Sequence, residues 1–221
     1  MENPPSTLAK QAAFPVFASV AGVLVAGVIV SVFYDLGPQS RHMAIHIAAM
    51  NVAAPILAFL VLRWSVNPRL LWLAAAVQIV VLWAAHAPPV YDLASSSPGL
   101  AGILHAVLFL VALVFWYGIL GVRKTASWHS ILALILTGKL ACLLAALLIF
   151  APRALYAVDH AIHPSMIPLT APMDDQQLAG LIMISACPIS YLVAAIILCI
   201  RMIIPAENAD DESAKPVSVT G

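Results

Sequence analysis

Charged residues are scarce in this chain: Asp, Glu, Lys and Arg make up 9% of its 221 residues, and the formal net charge is zero. A soluble domain has roughly a quarter of its residues charged, because its surface must be solvated. With 63% hydrophobic residues and a mean hydropathy of +1.01, the chain lacks the polar residues to cover a globule. The composition indicates an integral membrane protein, and the zero net charge gives no reason to expect a nucleic-acid partner.

Cysteine and catalytic motifs are also scarce. The three cysteines, Cys142, Cys187 and Cys199, lie in apolar runs without CxxC or CxH spacing, which argues against a disulfide framework. The sequence shows no nucleophile–base pair, no phosphate-binding loop and no paired carboxylate site. We therefore expect no hydrolytic or transfer catalysis, and the chain is not expected to be an enzyme.

Six apolar stretches have the roughly 20 residues that a helix needs to cross a hydrocarbon core of about 30 Å. The sequence therefore predicts an all-α membrane bundle of six transmembrane helices, at residues 14–34, 42–62, 69–86, 98–121, 130–151 and 178–203. The first stretch is longer than a signal-peptide core, so we expect it to be retained. Outside this domain at 14–204 we expect a cytoplasmic segment at 1–13 and a disordered, acidic cytoplasmic tail at 205–221.

Positive charges set the expected orientation. With the N-terminus inside, the outer side receives only Arg41 and Arg153, whereas the inner side receives Lys10, Arg63, Arg69, Arg123, Lys124, Arg201 and Lys215. Both termini should therefore be cytoplasmic. Two longer segments would then lie outside, and their prolines predict a loop at 87–97 and another at 152–177, the second with room for a short interfacial helix at 154–163.

Six of the seven histidines fall on the outer side of this topology. His42 and His46 are four residues apart on one helix face, while His86 and His105 lie near the outer ends of the third and fourth spans. Further candidates are Met43 and Met50 beside the first pair, and His160 and His163 in the last outer loop. Clustered imidazoles suit copper or zinc, and the methionine thioethers would favour Cu(I). The alternatives are interfacial anchoring for single histidines, a solvated loop for the last pair, and packing for the methionines.

A second group of polar residues lies deeper. Asn51, Gln78 and Lys139 fall near the midplane of three predicted spans, and no acidic residue in any span can pair with the lysine. We interpret them as a midplane polar spine below the histidines. The alternative is a lysine that snorkels to the interface. Near the last span, one of Asp174 and Asp175 is expected to cap that helix, with outer-face metal ligation as the second interpretation of Asp175.

Four segments together form an ordered pattern over residues 40–200. They are Arg41-His-Met-Ala-Ile-His46 followed by Ala54-Pro55, Trp83-Ala-Ala-His86-Ala-Pro-Pro-Val-Tyr91-Asp92, His105 followed by Phe109 and Phe115-Trp116, and Asp175-Gln176-Gln177-Leu-Ala-Gly180-Leu-Ile-Met183. This pattern resembles the polytopic CtaG-type cytochrome c oxidase assembly factors. The chain departs from it in having Ala101, where many relatives carry a further histidine, and Ile184, where a tryptophan is usual.

The resemblance implies a multi-pass protein of the bacterial cytoplasmic (inner) membrane whose metal site faces the periplasm. It further implies that the protein binds copper and assists metal insertion into a haem–copper oxidase subunit, with His42, His46, His86, His105 and Asp175 as the functional residues. A periplasmic copper carrier would be a second partner. Three alternatives stay open: a haem-binding membrane cytochrome or metalloreductase with His46 and His105 as axial ligands, a copper permease, and a structural oxidase partner without metal.

Overall fold

The computed structural model describes residues 36–156 and 171–213, with side chains described as far as Met202. This part of the chain is helical, without a β-strand. Its helices are α1 (Pro38–Val61), α2 (Pro68–Ala85), α3 (Pro88–Ser95), α4 (Pro98–Gly121), α5 (Ser127–Phe150) and α6 (Pro172–Ser213). All except α3 are long and apolar enough to cross a membrane. The predicted span at 14–34, the termini at 1–13 and 214–221, and the histidines at 160 and 163 lie outside the described residues.

Proline marks where these helices begin. Each of the helices α1, α2, α3, α4 and α6 has a proline as its first residue, a position where the missing N–H costs no helical hydrogen bond. In two of them the residue before the proline adds a side-chain cap: the Asn67 side chain accepts from the Arg69 amide at 2.9 Å, and Ser97 Oγ accepts from the Leu100 amide at 3.2 Å.

The predicted bounds hold for α4, at residues 98–121, and differ by one to four residues for α1, α2 and α5. The helix α6 begins six residues earlier than predicted, inside the loop expected at 152–177, and ends at Ser213, inside the tail expected at 205–221. The loop predicted at 87–97 is wrong, because Pro88–Ser95 forms the short helix α3. Pro88 and Pro89 occupy its first two positions and so start a helix rather than preventing one. In the segment predicted at 154–163, residues 154–156 are not helical, and the rest lies outside the described residues.

Small residues let the long helices approach closely. The first part of α1, Pro38–Ala48, packs against α6, whereas its last part, Ala54–Val61, packs against α4. The helix α2 packs against α4 and α5, and α5 against α6. Fully buried alanines line these contacts, as membrane helix interfaces favour: Ala54, Ala58, Ala112, Ala133 and Ala145. Large apolar side chains point outward, with Phe150 being 81% exposed, as a lipid-facing surface requires.

A short π-helical segment, Ala49–Ala53, interrupts α1. Here the Ala54 amide bonds to the carbonyl of Ala49 instead of that of Met50. The next residue, Pro55, has no N–H to offer. The Met50 carbonyl is thereby released from the helix, and it accepts a hydrogen bond of 2.9 Å from the indole Nε1 of Trp116 on α4.

Candidate metal centre

Three helices bring four histidines to one end of the bundle. His42 and His46 lie one turn apart on α1, His86 directly follows α2, and His105 lies two turns into α4. The ring centroid of His42 is 6.1 Å from that of His46, 6.3 Å from that of His86 and 4.5 Å from that of His105. The rings of His46 and His86 are 5.2 Å apart. Residues separated by up to 63 positions in the chain thus form one imidazole cluster.

The nitrogens of three of these rings are close enough to share one ion. His42, His46 and His86 each offer a nitrogen, and these three atoms lie within 4.8 Å of one another. A zinc ion bonds imidazole nitrogen at about 2.0–2.1 Å, so three nitrogens on one ion lie roughly 3.3–3.6 Å apart. Side-chain rotations that bring these nitrogens about 1–1.5 Å closer together would therefore suffice for coordination. The His105 ring lies beside that of His42, with ring centroids 4.5 Å apart, but outside this group of three.

Hydrogen bonds fix which nitrogen is free on two of the rings. His86 Nδ1 lies 2.7 Å from the Leu82 carbonyl, and His105 Nδ1 lies 2.8 Å from the Ala101 carbonyl. Because a carbonyl oxygen only accepts, Nδ1 must carry a proton, and in a neutral ring Nε2 then carries the lone pair. Such bonds from the far nitrogen orient histidines that bind metals.

Four buried nitrogens in the cluster lack any hydrogen-bond partner among the described residues. They are Nε2 of His42, His86 and His105 and Nδ1 of His46. Buried polar atoms in folded proteins are almost always hydrogen-bonded, so unpartnered ones call for an explanation. In His86 and His105 the unpartnered nitrogen is the one with the lone pair. The donor set therefore fits a metal ion that prefers imidazole.

Two tyrosines cover the cluster. Tyr91 of α3 directs an edge contact at His42, with ring centroids 5.4 Å apart, and packs on Tyr156 at 4.4 Å. The Tyr156 hydroxyl donates to the His86 carbonyl at 3.0 Å. Burial, together with the carboxylates of Asp175 and Asp92, raises the pKa of Tyr91 to about 12, and burial also raises the pKa of Tyr156. Both rings are therefore neutral at physiological pH and cannot serve as anionic ligands.

Asp175 caps a helix other than its own. Its carboxylate accepts hydrogen bonds from the amides of Gln39 and Ser40 at 2.9 and 3.1 Å, and from the Ser40 hydroxyl at 2.6 Å. Asp175 therefore satisfies the N-terminus of α1 and not that of α6, the last helix. With these bonds to α1, Asp175 is not part of the group of side chains that could hold the ion. Asp174 is exposed.

The predicted midplane spine forms only in part. Asn51 Nδ2 donates to Cys187 Sγ at 3.3 Å, and Gln78 Nε2 donates to the Tyr191 hydroxyl at 2.9 Å. These bonds tie α1 and α2 to neighbouring turns of α6. Lys139 is instead exposed on α5, so its predicted place in the spine is corrected. The lysine faces outward, where its long side chain can reach the interface.

The remaining candidates lie apart from the cluster or in the core around it. Met43 and Met50 are buried in the hydrophobic core. His129 is held at the other end of the bundle, where its Nδ1 accepts from Trp72 Nε1 at 3.1 Å and its ring stacks on Trp128 at 3.6 Å. Sequence reasoning gave no site role to Ser40 or Tyr156, and it gave Gln176 only as part of the family motif. Their hydrogen-bond partners could not be read from a single sequence, because these partners are distant in the chain.

In the described part of the chain, five membrane-length helices and a buried imidazole cluster at one end define a multi-pass membrane protein with a candidate metal centre. A model of the family described as cytochrome c oxidase caa3 assembly factor (Caa3_CtaG) matches residues 12–204. The chain belongs to this family, which confirms the resemblance found in its motifs. Searches of curated proteins and of solved structures gave no match to the chain.

Proposed function

We propose that this protein assists the assembly of a haem–copper cytochrome c oxidase by binding copper at His42, His46, His86 and His105 and passing it to an oxidase subunit. The observation that carries the proposal is the set of four buried imidazole nitrogens that have no hydrogen-bond partner within residues 36–156 and 171–202. Membership of an oxidase assembly family supplies the context. The role is that of a metallochaperone rather than of an enzyme.

Copper is the metal that these ligands favour. An all-nitrogen imidazole site binds the divalent first-row metals with affinity that rises to a maximum at copper. Neutral ligands also leave the positive charge of the ion uncompensated within the protein. Such a site can release the ion to a client whose ligands include thiolate or carboxylate, as handover requires.

The distribution of basic residues supports a site that faces the periplasm in a bacterial inner membrane. Arg63 and Arg69 flank the turn between α1 and α2, and Arg123 and Lys124 the turn between α4 and α5, all exposed and all at the end away from the histidine cluster. Positive residues accumulate on the cytoplasmic side. With the span at 14–34 included, this gives six spans and two cytoplasmic termini. A periplasmic carrier could then deliver copper without its crossing the bilayer.

The geometry favours copper handover over the alternatives. A haem bound between His46 and His105 needs a flat slot between the two rings, yet His42 lies beside His105 at 4.5 Å and within 6.1 Å of His46. A copper permease would draw on polar groups through the bundle, and Lys139 faces away from it.

Metal analysis of the purified protein tests this proposal. We expect copper in the wild type and in His129→Ala, a matched histidine outside the cluster, and its loss from the double variant His46→Ala with His105→Ala. In a strain that lacks the gene for this protein, the wild type and His129→Ala should restore cytochrome c oxidase activity, and the double variant should not. A Soret band would point to haem instead. Copper absent from the wild type, together with normal oxidase in the deletion strain, would overturn the proposal.

A further inference from the structure

The first turn of α6 is bonded to the start of α1, the helix of His42 and His46, although it supplies no ligand itself. The Asp175 carboxylate accepts from the backbone amides of Gln39 and Ser40 at 2.9 and 3.1 Å. These are the second and third residues of α1, and its N-cap residue Gly37 makes no capping bond of its own. Amides at a helix start otherwise lack partners, and a carboxylate is favoured by the positive end of the helix dipole.

The contact between the Asp175 carboxylate and the start of α1 is buried and tightly packed. Asp175 is 3% exposed and Ser40 is fully buried. The Ser40 hydroxyl adds a third bond to the carboxylate, at 2.6 Å. A Cβ atom at Gly37 would collide with that carboxylate. The start of α1 and the start of α6 are therefore fixed against each other, two residues before His42.

Gln176, the next residue of α6, is connected to His86. Its amide nitrogen donates to the Leu148 carbonyl at 3.0 Å, and its amide oxygen accepts from the Leu155 amide at 2.7 Å. Leu155 precedes Tyr156, whose hydroxyl donates to the carbonyl of His86 at 3.0 Å. The fully buried Gln176 thus holds the segment that carries the partner of His86.

We propose that Asp175 and Gln176 are positioning residues that hold the outer ends of α1 and α2 in the arrangement that brings the imidazoles together. Each helical residue turns the chain by about 100° and advances it by about 1.5 Å. A slip of one residue at the start of α1 would therefore turn His42 and His46 away from His86. This inference rests on the proposed function and assigns a role to two residues that donate nothing to the metal.

Copper titration of the full chain in lipid nanodiscs tests the effect on the site, with Cu(II) as the probe and its EPR spectrum as the second readout. We expect Asp175→Ala and Gln176→Leu to weaken Cu(II) binding by roughly 10–100-fold, as loss of residues that orient ligands does, and to change the EPR parameters. Asp175→Asn, which keeps one acceptor oxygen, should lie between Asp175→Ala and the wild type.

Two controls separate positioning from general stability. Gln177→Leu alters the adjacent glutamine, which makes only a 3.4 Å bond to the Ile149 carbonyl, and it should leave Cu(II) binding within about twofold of the wild type. Asn67→Ala removes the cap at the opposite end of α2. It should lower stability without changing the EPR spectrum.

Hydrogen exchange gives a readout that needs no metal. Asp175→Ala should speed exchange at residues 39–42, and Gln176→Leu at residues 86–87, each without a general loss of protection. Gly37→Ala should resemble Asp175→Ala, and it should add little in that background because the two residues share one contact. If Asp175→Ala does not fold, hydrogen exchange in Asp175→Asn and Ser40→Ala decides whether the contact holds the start of α1.

The outcomes distinguish the two proposals. A wild type that binds no Cu(II) would overturn copper binding alone, and local exchange would still decide whether the first turn of α6 positions the histidines. Unchanged exchange at residues 39–42 and 86–87 would overturn the positioning role. So would faster exchange at these residues with Cu(II) affinity and EPR parameters equal to those of the wild type.

Discussion

The indole of Trp116 donates its hydrogen bond to the main-chain carbonyl of Met50, at 2.9 Å, in the buried interior between α4 and α1. The carbonyl is available because the Ala54 amide bonds to Ala49 and Pro55 has no amide hydrogen. Without the indole, a backbone oxygen in the apolar interior would have no partner. The tryptophan therefore compensates for a defect that the proline creates on another helix.

Replacing Trp116 should consequently lower the stability of the fold by more than the loss of buried apolar surface alone would. We expect Trp116→Phe to destabilise the fold by about 1–3 kcal/mol, because a buried acceptor is left unsatisfied. Pro55→Ala offers Met50 a new amide donor, so the double variant should lose less than the sum of the two single variants. Reversible unfolding in mixed micelles measures this coupling. Trp64→Phe, at a position 77% exposed, is the control, and additive losses would contradict the argument.

Helix packing predicts opposite outcomes for two glycines. A Cβ atom at Gly180 of α6 would lie 2.7 Å from Ile149 Cγ1 and 3.0 Å from the Ala145 carbonyl of α5, whereas at Gly102 it would meet nothing within 4 Å. Gly180→Ala should destabilise the protein by about 1–3 kcal/mol through overpacking. Gly102→Ala should be neutral or stabilising by up to about 1 kcal/mol, since alanine favours a helix. Thermal unfolding of both variants checks the contrast.

Two residues predicted for the polar spine, Gln78 and Lys139, should respond differently to substitution by leucine. Gln78 is fully buried and bonded to Tyr191, so Gln78→Leu should lower the free energy of unfolding by about 1–3 kcal/mol. Lys139→Leu should leave copper content and oxidase assembly unchanged, because this side chain is exposed. Metal content and unfolding measured on both variants test this. A loss of copper in Lys139→Leu would return the lysine to the functional site.

Copper should stabilise the folded protein, and the stabilisation should grow with the logarithm of the free copper concentration above the dissociation constant. A ligand that binds only the native state adds about 2.7 kcal/mol when its free concentration is 100 times its dissociation constant. We expect melting temperature to rise with added copper in the wild type and in His129→Ala, and to fall back when a chelator removes the metal. The variant lacking His46 and His105 should show no shift. An equal shift in that variant would place the copper elsewhere.

Much of the fold was predictable because membrane insertion is a local property of the sequence. Hydrocarbon thickness sets the length of an apolar run, and proline at the first position sets where a helix begins, which located α4 to the residue. The same local reasoning failed at Pro88, because a proline pair can open a loop or a helix and only the packing of Tyr91 above His42 distinguishes them.

Some residues of the candidate site could likewise be predicted from the sequence, and others could not. The spacing of His42 and His46 is a helical property that the sequence shows directly, and orientation from Lys and Arg placed His86 and His105 at the same end. Asp175 could not be assigned from sequence, since the amides it caps lie 135 and 136 positions away. Nor could Lys139 be oriented, because α5 is apolar on every side and gives no periodic signal for its buried face.

By itself, then, the sequence determined that this is a helical membrane protein, roughly where most of its helices lie, and which end of the bundle carries the histidines. These properties depend on hydropathy, on local backbone chemistry and on charge. Only the tertiary structure decided that the imidazole nitrogens are buried with no partner in the part of the chain that it describes, that Asp175 caps α1, and that Lys139 faces outward. Each of these depends on which helix faces meet, and in a uniformly apolar helix that choice follows from close packing and hydrogen bonds between distant residues.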